Sequence, residues 1–396
     1  LGTHTVAPFV AEIEGLVDAI KGDLIALSDR IGQHPELGMQ EHKASQWHVD
    51  ALAKAGFAVE YPYAGLATGF RAEMTGNGPG PTMALLVEYD ALPEIGHACG
   101  HNLHGVMSTG AALALAAMRD KWAGKLVVLG SPAEEGAVDN AGGKVVLVEQ
   151  GAFADVDAAM MVHSSSINGL GGPSLAREAF EIGFKGKPAH AAAIPHLGIN
   201  ALDAAISLFN SVNALRQHLT SDVRIHGIIT KGGASPNIVP EYAEVRMYAR
   251  AADKDYLKTV VAKIRNCAEA AALATGAKMA WRNTAHAYDN MVGNLPLQQV
   301  FGESLRELGA VVDESPSRGS GSTDMGNVSH VVPSIHPYVA ICDEPIPGHS
   351  REFAAATMMP RGHEGLVLGA KAIALTTYKF LMQPELVAAA KTEFGK

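Results

Sequence analysis

"TMALLVEYD", residues 82–90, is an apolar run that ends in two carboxylates, Glu88 and Asp90. A strand with one wet face would alternate polar and apolar residues, so this continuous run reads as a strand covered on both faces. Strands of that kind belong to parallel sheets whose crossovers are helices. Further along, a helix is expected from about His101, a second apolar strand in "KLVVLGSPAEEG" (125–136), another helix, and a third strand in "AAMMVH" (158–163). In the other direction, Phe9, Ile13, Val17, Ile20, Leu24, Leu27 and Ile31 recur at helical spacing. The predicted class is α/β, with a mixed, largely parallel sheet and helices on both faces.

The period changes near residue 177. "REAFEIGFKG" reads as a strand, "GINALDAAISLFNSVNALRQHL" as a helix, and "DVRIHGIIT" and "EYAEVRMYAR" as strands. "KDYLKTVVAKIRNCAEAAALATG" is a helix and "AKMAWRNTAHAY" a last strand. That β-α-β-β-α-β order is the ferredoxin-like arrangement. Helix and strand resume from about residue 290, with "SIHPYVAI" (334–341) as a strand and a final helix. The expected organisation is one domain built from residues 1–176 and 290–396, interrupted by an α+β domain at 177–289.

A formal charge of −10 over 396 residues, with no basic cluster to offset it, argues against nucleic acid or an anionic membrane as partner. Cys99, Cys267 and Cys342 form no C-x-x-C pair and are too few for a disulfide framework, which favours a reducing, cytoplasmic setting. The run "GVMSTGAALALAAM" (105–118) falls short of the roughly 20 residues a membrane span requires.

Four polar clusters follow predicted strands: "HACGHN", "SPAEEG", "MMVHSS" and "PIPGHSREF". Open α/β sheets build ligand sites at the carboxyl ends of their strands, so Cys99, His101, Glu134, Glu135, His163 and His349 are expected to converge. Singly, each has an ordinary explanation: a small buried thiol, a core histidine, a solvated acidic pair. Together they are a thiolate, imidazole and carboxylate set suited to a divalent transition metal, or to two if one ligand bridges. Of two adjacent carboxylates, one can bind metal. The other can take a proton from metal-activated water and pass it to a leaving amine. Asp90 suits the acceptor that fixes a ligand histidine's tautomer. His97 and His104 lie nearby without an assignment. No G-x-S-x-G elbow or H-E-x-x-H helix occurs. "RGSGSTDMG" (318–326) lacks the phosphate-loop spacing and reads as a substrate-side loop.

In this order and spacing, "EYDALPEIGHACGHN", "SPAEEG", "MMVH", "GKPAHAA", "GGASPNIVPEYAEVRMYAR" and "GSTDMGNVSHVVPSIHP" resemble a known metallopeptidase family. It is the family of aminoacylases, glutamate carboxypeptidases and auxin-conjugate amidohydrolases. The nearest branch is that of p-aminobenzoyl-glutamate hydrolase and β-alanyl-lysine dipeptidase. The resemblance runs from "HPELG" at residue 34 to the last helix. It implies two divalent ions per chain, zinc or manganese, with cobalt or nickel also compatible. Their ligands would be Cys99, His101, Glu135, His163 and His349, with Cys99 bridging where other branches use Asp. Glu134 would be the general base. His190, in "GKPAHAA", would stabilise the tetrahedral oxyanion, often from a partner subunit, and Asn237 and Arg250 would hold a substrate carboxylate. The implied activity is hydrolysis of an amide bond in a small dipeptide or an N-acyl or N-aroyl amino acid, by a homodimer formed through the inserted domain. Deamination, or another C–N cleavage on an aromatic substrate, and a non-catalytic metal-binding role are the alternatives. Asn102 stands where many relatives have Asp, and "SREF" follows His349 where auxin hydrolases read "SPYF"; both departures weaken transfer of auxin-conjugate specificity.

Overall fold

The structure, a computed structural model, describes residues 8–315 and 321–395. These fall into two compact units. One is drawn from Leu1–Pro173, Met291–Gly319 and Asp324–Lys396, the other from Ser174–Asn290 and Ser320–Thr323.

The first unit is built on Thr82–Glu88, which is buried at every position. It pairs in parallel with Lys125–Ser131 on one side and with Ala158–Met160 on the other. Ser334–Ile335 extends the parallel set, while Phe70–Thr75 and then Ala58–Glu60 add antiparallel strands at the opposite edge. The result is the mixed, largely parallel sheet that the apolar runs imply. Side chains alternate across a strand, so one apolar run supplies two cores. Met83, Leu85 and Val87 join a cluster with the helices Pro8–Gln33, His101–Ala117 and Pro360–Met382. Ala84 and Leu86 join another with Leu147, Phe153, Met325 and Val328.

Three elements differ from their sequence reading. "AAMMVH" is two strands: Ala158–Met160 stays in the main sheet, whereas His163–Ser165 pairs with Tyr338–Ala340. "SIHPYVAI" breaks between Ser334–Ile335 and Tyr338–Ala340, at Pro337, which has no N–H to give a ladder. The final helix is also two, because Pro384, placed in the first turn of Pro384–Phe394, cannot continue Pro360–Met382. Pro360–Met382 is long and apolar enough to cross a membrane, but 72% of its apolar window is buried inside the fold. It is a core helix. The loop reading of residues 318–326 lies partly outside the described residues; Met325–Ser329 is a short helix.

In the second unit, the strands Ala176–Lys185, Arg224–Lys231, Tyr242–Ala251 and Lys278–Asn283 form an antiparallel sheet. The sheet order places the last strand beside the first, and the third between the first and the second. The helices Ala201–Leu215 and Lys254–Thr275 are capped by Asn200 and Asp253, whose side chains accept from backbone N–H groups of the first turn. Their apolar stripes pack with Phe180, Ile182, Phe184, Val245, Met247 and Ala249. The alternate residues, Arg177, Glu181, Arg246, Tyr248 and Arg250, therefore lie on the other face of the sheet.

Candidate active site

Gly100 joins two of the expected ligands. Its φ of +92° is left-handed, and a Cβ there would meet Ser164 Oγ at 2.2 Å. Only glycine fits, and it lets Cys99 and His101 flank one tight turn at the start of His101–Ala117. Asp90 Oδ1 lies 2.9 Å from His101 Nδ1 and accepts the hydrogen bond from its N–H. The other oxygen of Asp90 accepts from the backbone N–H of Glu135 at 3.0 Å, tying the "PAEEG" turn to the same carboxylate. His101 Nε2 then faces inward, 3.6 Å from Glu135 Oε1 and 3.7 Å from Glu134 Oε2.

Cys99 Sγ lies 3.4 Å from His163 Nε2. His349 is held in a left-handed conformation, φ +61°, with its N–H donated to Ala98 O, and its Nε2 is 3.4 Å from Glu135 Oε2. All six donors from distant segments thus meet in the first unit. His349 is the exposed member; His101 and Glu134 are buried.

The donor set fits a metal. Cys99, His101 and Glu135 each offer a ligand atom within 4.8 Å of the others. His101 Nε2 and Glu135 Oε1 are buried with no hydrogen-bond partner among the described residues, a costly state for polar atoms unless a cation completes them. The electrostatics show the same strain. Burial pushes Glu135 up to about 7 and the Cys99 thiol well above its ordinary value. Burial, with Glu88 and Asp324 nearby, pushes Glu134 well above the carboxylate range. His101 goes the other way: burial opposes its charge, but Glu88 and Asp90 hold it protonated. An excess of carboxylates around one forced imidazolium is the environment a bound dication would relieve.

Several supporting residues escaped the sequence reading. Glu88 lies 3.4 Å from His101 Nε2 and accepts from Lys144 Nζ at 2.7 Å. Lys144, fully buried, also donates to Asp324 at 2.7 Å. The available signal was a carboxylate ending the all-apolar "TMALLVE" and a lysine opening "KVVLVE". His104 has both ring nitrogens engaged, Nδ1 with Glu88 and Nε2 with Ser164, each at 2.8 Å, so it supports the site and leaves no nitrogen for a metal.

The remaining expected residues belong to the second unit. His190 is exposed, and its Nδ1 accepts from the N–H groups of Ala192 and Ala193 at 3.3 and 3.2 Å. With Nδ1 engaged as an acceptor, Nε2 is the ring nitrogen left to donate. Asn237 is a neighbour, since its carbonyl accepts from Ala191 N–H at 3.0 Å. Arg250 is not beside them in sequence; it lies on the sheet face opposite the helices, where Nη1 donates to Ser322 Oγ at 2.9 Å.

Comparison with known proteins supplies a family. The pattern described as Peptidase family M20/M25/M40 matches residues 84–368. The chain is 38% identical over 394 residues to the Xaa-Arg dipeptidase of Mus musculus, covering 96% of this chain and 90% of that one. One of the subunits of the p-aminobenzoyl-glutamate hydrolase of Escherichia coli is 34% identical over 284 residues, covering 66% of this chain and 58% of its own length. A putative aminohydrolase from methicillin-resistant Staphylococcus aureus shares the fold, with a TM-score of 0.75 at 20% identity over 94% of this chain and 99% of that one.

Proposed function

The chain belongs to peptidase family M20/M25/M40 and is a metal-dependent hydrolase, and from that premise we propose that it cleaves the amide bond of a small dipeptide or N-acyl amino acid. The observation that carries this reading is the pair of buried, unpartnered ligand atoms, His101 Nε2 and Glu135 Oε1, with Glu134 alongside. Cys99, His101, Glu135, His163 and His349 would hold two divalent ions. When bound, the ions supply Lewis acidity at the amide carbonyl and acidify water and the surrounding carboxyls.

The protein's own groups perform the proton transfers. Glu134 takes a proton from the attacking water and delivers it to the leaving nitrogen. Asp90 keeps the His101 ring in one tautomer and one plane. His190 presents its Nε2–H to the carbonyl oxygen as negative charge grows there. Asn237 and Arg250 hold the substrate's carboxylate. In this reading, residues 1–176 and 290–396 form the catalytic body, and 177–289 bind substrate and pair two copies as a homodimer. A thiol kept reduced as a ligand is favoured by a reducing compartment, which suits the cytoplasm.

The decisive test is turnover on a panel of Xaa-Arg dipeptides, β-alanyl-lysine, p-aminobenzoyl-glutamate and N-acetyl or N-benzoyl amino acids. Each is run after loading with zinc or manganese, with and without chelator. Chelator-sensitive release of a free amino acid is expected from one class. Release of ammonia, or silence from fully loaded protein, would overturn the reading.

A further inference from the structure

Arg177 is a buried guanidinium without an anion. The residue is 3% exposed, and its Nε and Nη2 have no hydrogen-bond partner among the described residues. It lies directly opposite Arg250 in the sheet, and Arg250 in turn lies opposite Arg224. Arg224 turns to backbone, donating to Ser221 O and Val223 O, which leaves the guanidinium groups of Arg177 and Arg250 both beside the Tyr248 ring, 5.3 and 6.0 Å from its centroid. Neither Arg177 nor Arg250 forms an ion pair among the described residues.

The acids on the same face are committed elsewhere. Glu181 bonds Arg246 and Arg282, and Glu244 bonds Thr230, Lys231 and Tyr242. The other titratable neighbour, His226, faces Tyr248 at 5.6 Å and adds no negative charge. Like charges directly across a ladder destabilise a sheet, and an unsatisfied buried guanidinium costs more. Tyr288, whose ring centroid is 3.8 Å from the Arg177 Cζ, and Tyr248 at 5.3 Å offset part of this by cation–π attraction. Rings hold the face of a guanidinium; they leave its N–H edge unsatisfied.

We propose that Arg177 and Arg250 together form one carboxylate subsite, in which the substrate's free carboxylate supplies the missing negative charge. The proposal rests on the reading of Arg250 given above and adds Arg177 as a second substrate-binding residue. A planar N–H fork matches two carboxylate oxygens, and two adjacent forks make a free carboxylate a requirement for binding. A small inorganic anion has the same charge and is the competing occupant.

The test uses the metal-loaded full chain and follows thermal stability during titration with N-acetylglycine, N-acetylglycinamide and sodium sulfate. N-acetylglycine is expected to raise the melting temperature while the amide does not. Arg250→Met and Arg177→Met should each weaken that response by about tenfold or more, and Arg177→Lys, which keeps the charge in a position that tolerates little change, should restore part of it. With whichever panel substrate is cleaved, Arg177→Met should raise KM by about tenfold with kcat little changed. An Arg177→Lys or Arg177→Met variant that binds N-acetylglycine as the parent does overturns the proposal, as does a response to sulfate alone or equal responses to acid and amide. Carboxylate binding that needs both arginines supports the subsite even in protein silent on the panel; that silence would count against the hydrolytic reading alone.

Discussion

His101 divides its ring: Nδ1 is held by Asp90, and Nε2 is turned toward Glu88, Glu134 and Glu135 at 3.4–3.7 Å, without a hydrogen-bond partner among the described residues. Replacing Cys99 by Ala should therefore lower bound metal per chain, measured by elemental analysis, because the remaining donors lose the thiolate beside His163. Glu134→Gln should keep the metal and lose about 10²–10⁴-fold in turnover, the usual worth of a positioned proton carrier. A metal-replete Glu134→Gln protein with parental activity would remove Glu134 from its role. Glu41 offers a test by pH. Burial, aided by Asp90, raises its carboxyl from 4.5 to about 8, so the folded chain holds a proton there that the unfolded chain releases. That contribution is complete below about pH 4.5 and is lost as pH rises through about 8. In metal-free protein, Glu41→Gln should flatten the fall in urea midpoint over that interval, and an unchanged slope would contradict the assignment. The six donors were legible because each is a polar letter just past an apolar run. Glu41 was not, since its partners, Thr68 and the Ala133 N–H, are set by tertiary packing.

Three elements converge on one ammonium group. Lys144, in the helix Gly143–Glu149, joins Glu88 at the end of Thr82–Glu88 to Asp324, which precedes the helix Met325–Ser329. All three side chains are out of water. Lys144→Met would strand two buried carboxylates and should cost about 3–5 kcal/mol of unfolding free energy, read from urea denaturation. A loss under 1 kcal/mol would mean the carboxylates find protons at little expense. The sequence makes the strands legible and their partners illegible. "AAMMVH" and "SIHPYVAI" each read as one strand because propensity is local, yet their halves serve different sheets. Cross-strand register is equally hidden: nothing in the strings "REAFEIGF" and "EVRMYAR" shows that Arg177 and Arg250 stand opposite each other.

At the scale of the molecule, the two units have separate cores. The second carries a full apolar interior of its own, with Trp281 stacked on Phe180 at 4.2 Å between ring centroids. A fragment spanning 174–290 should fold, giving a mixed helix–strand circular dichroism spectrum and a cooperative thermal transition. A fragment without a cooperative melt would show that its core depends on the rest of the chain. The ends of that segment are already joined in the fold, because Arg177 and Tyr288 exchange both backbone hydrogen bonds, at 2.8 and 2.9 Å. The consequence is kinetic. Once this segment has formed, the flanking stretches emerge side by side, and strands that are distant along the chain become effectively local. Ser334–Ile335 then searches for Ala158–Met160 across a connection shortened by the whole inserted segment. When the inserted segment forms before the flanking strands meet, it accelerates this long-range pairing.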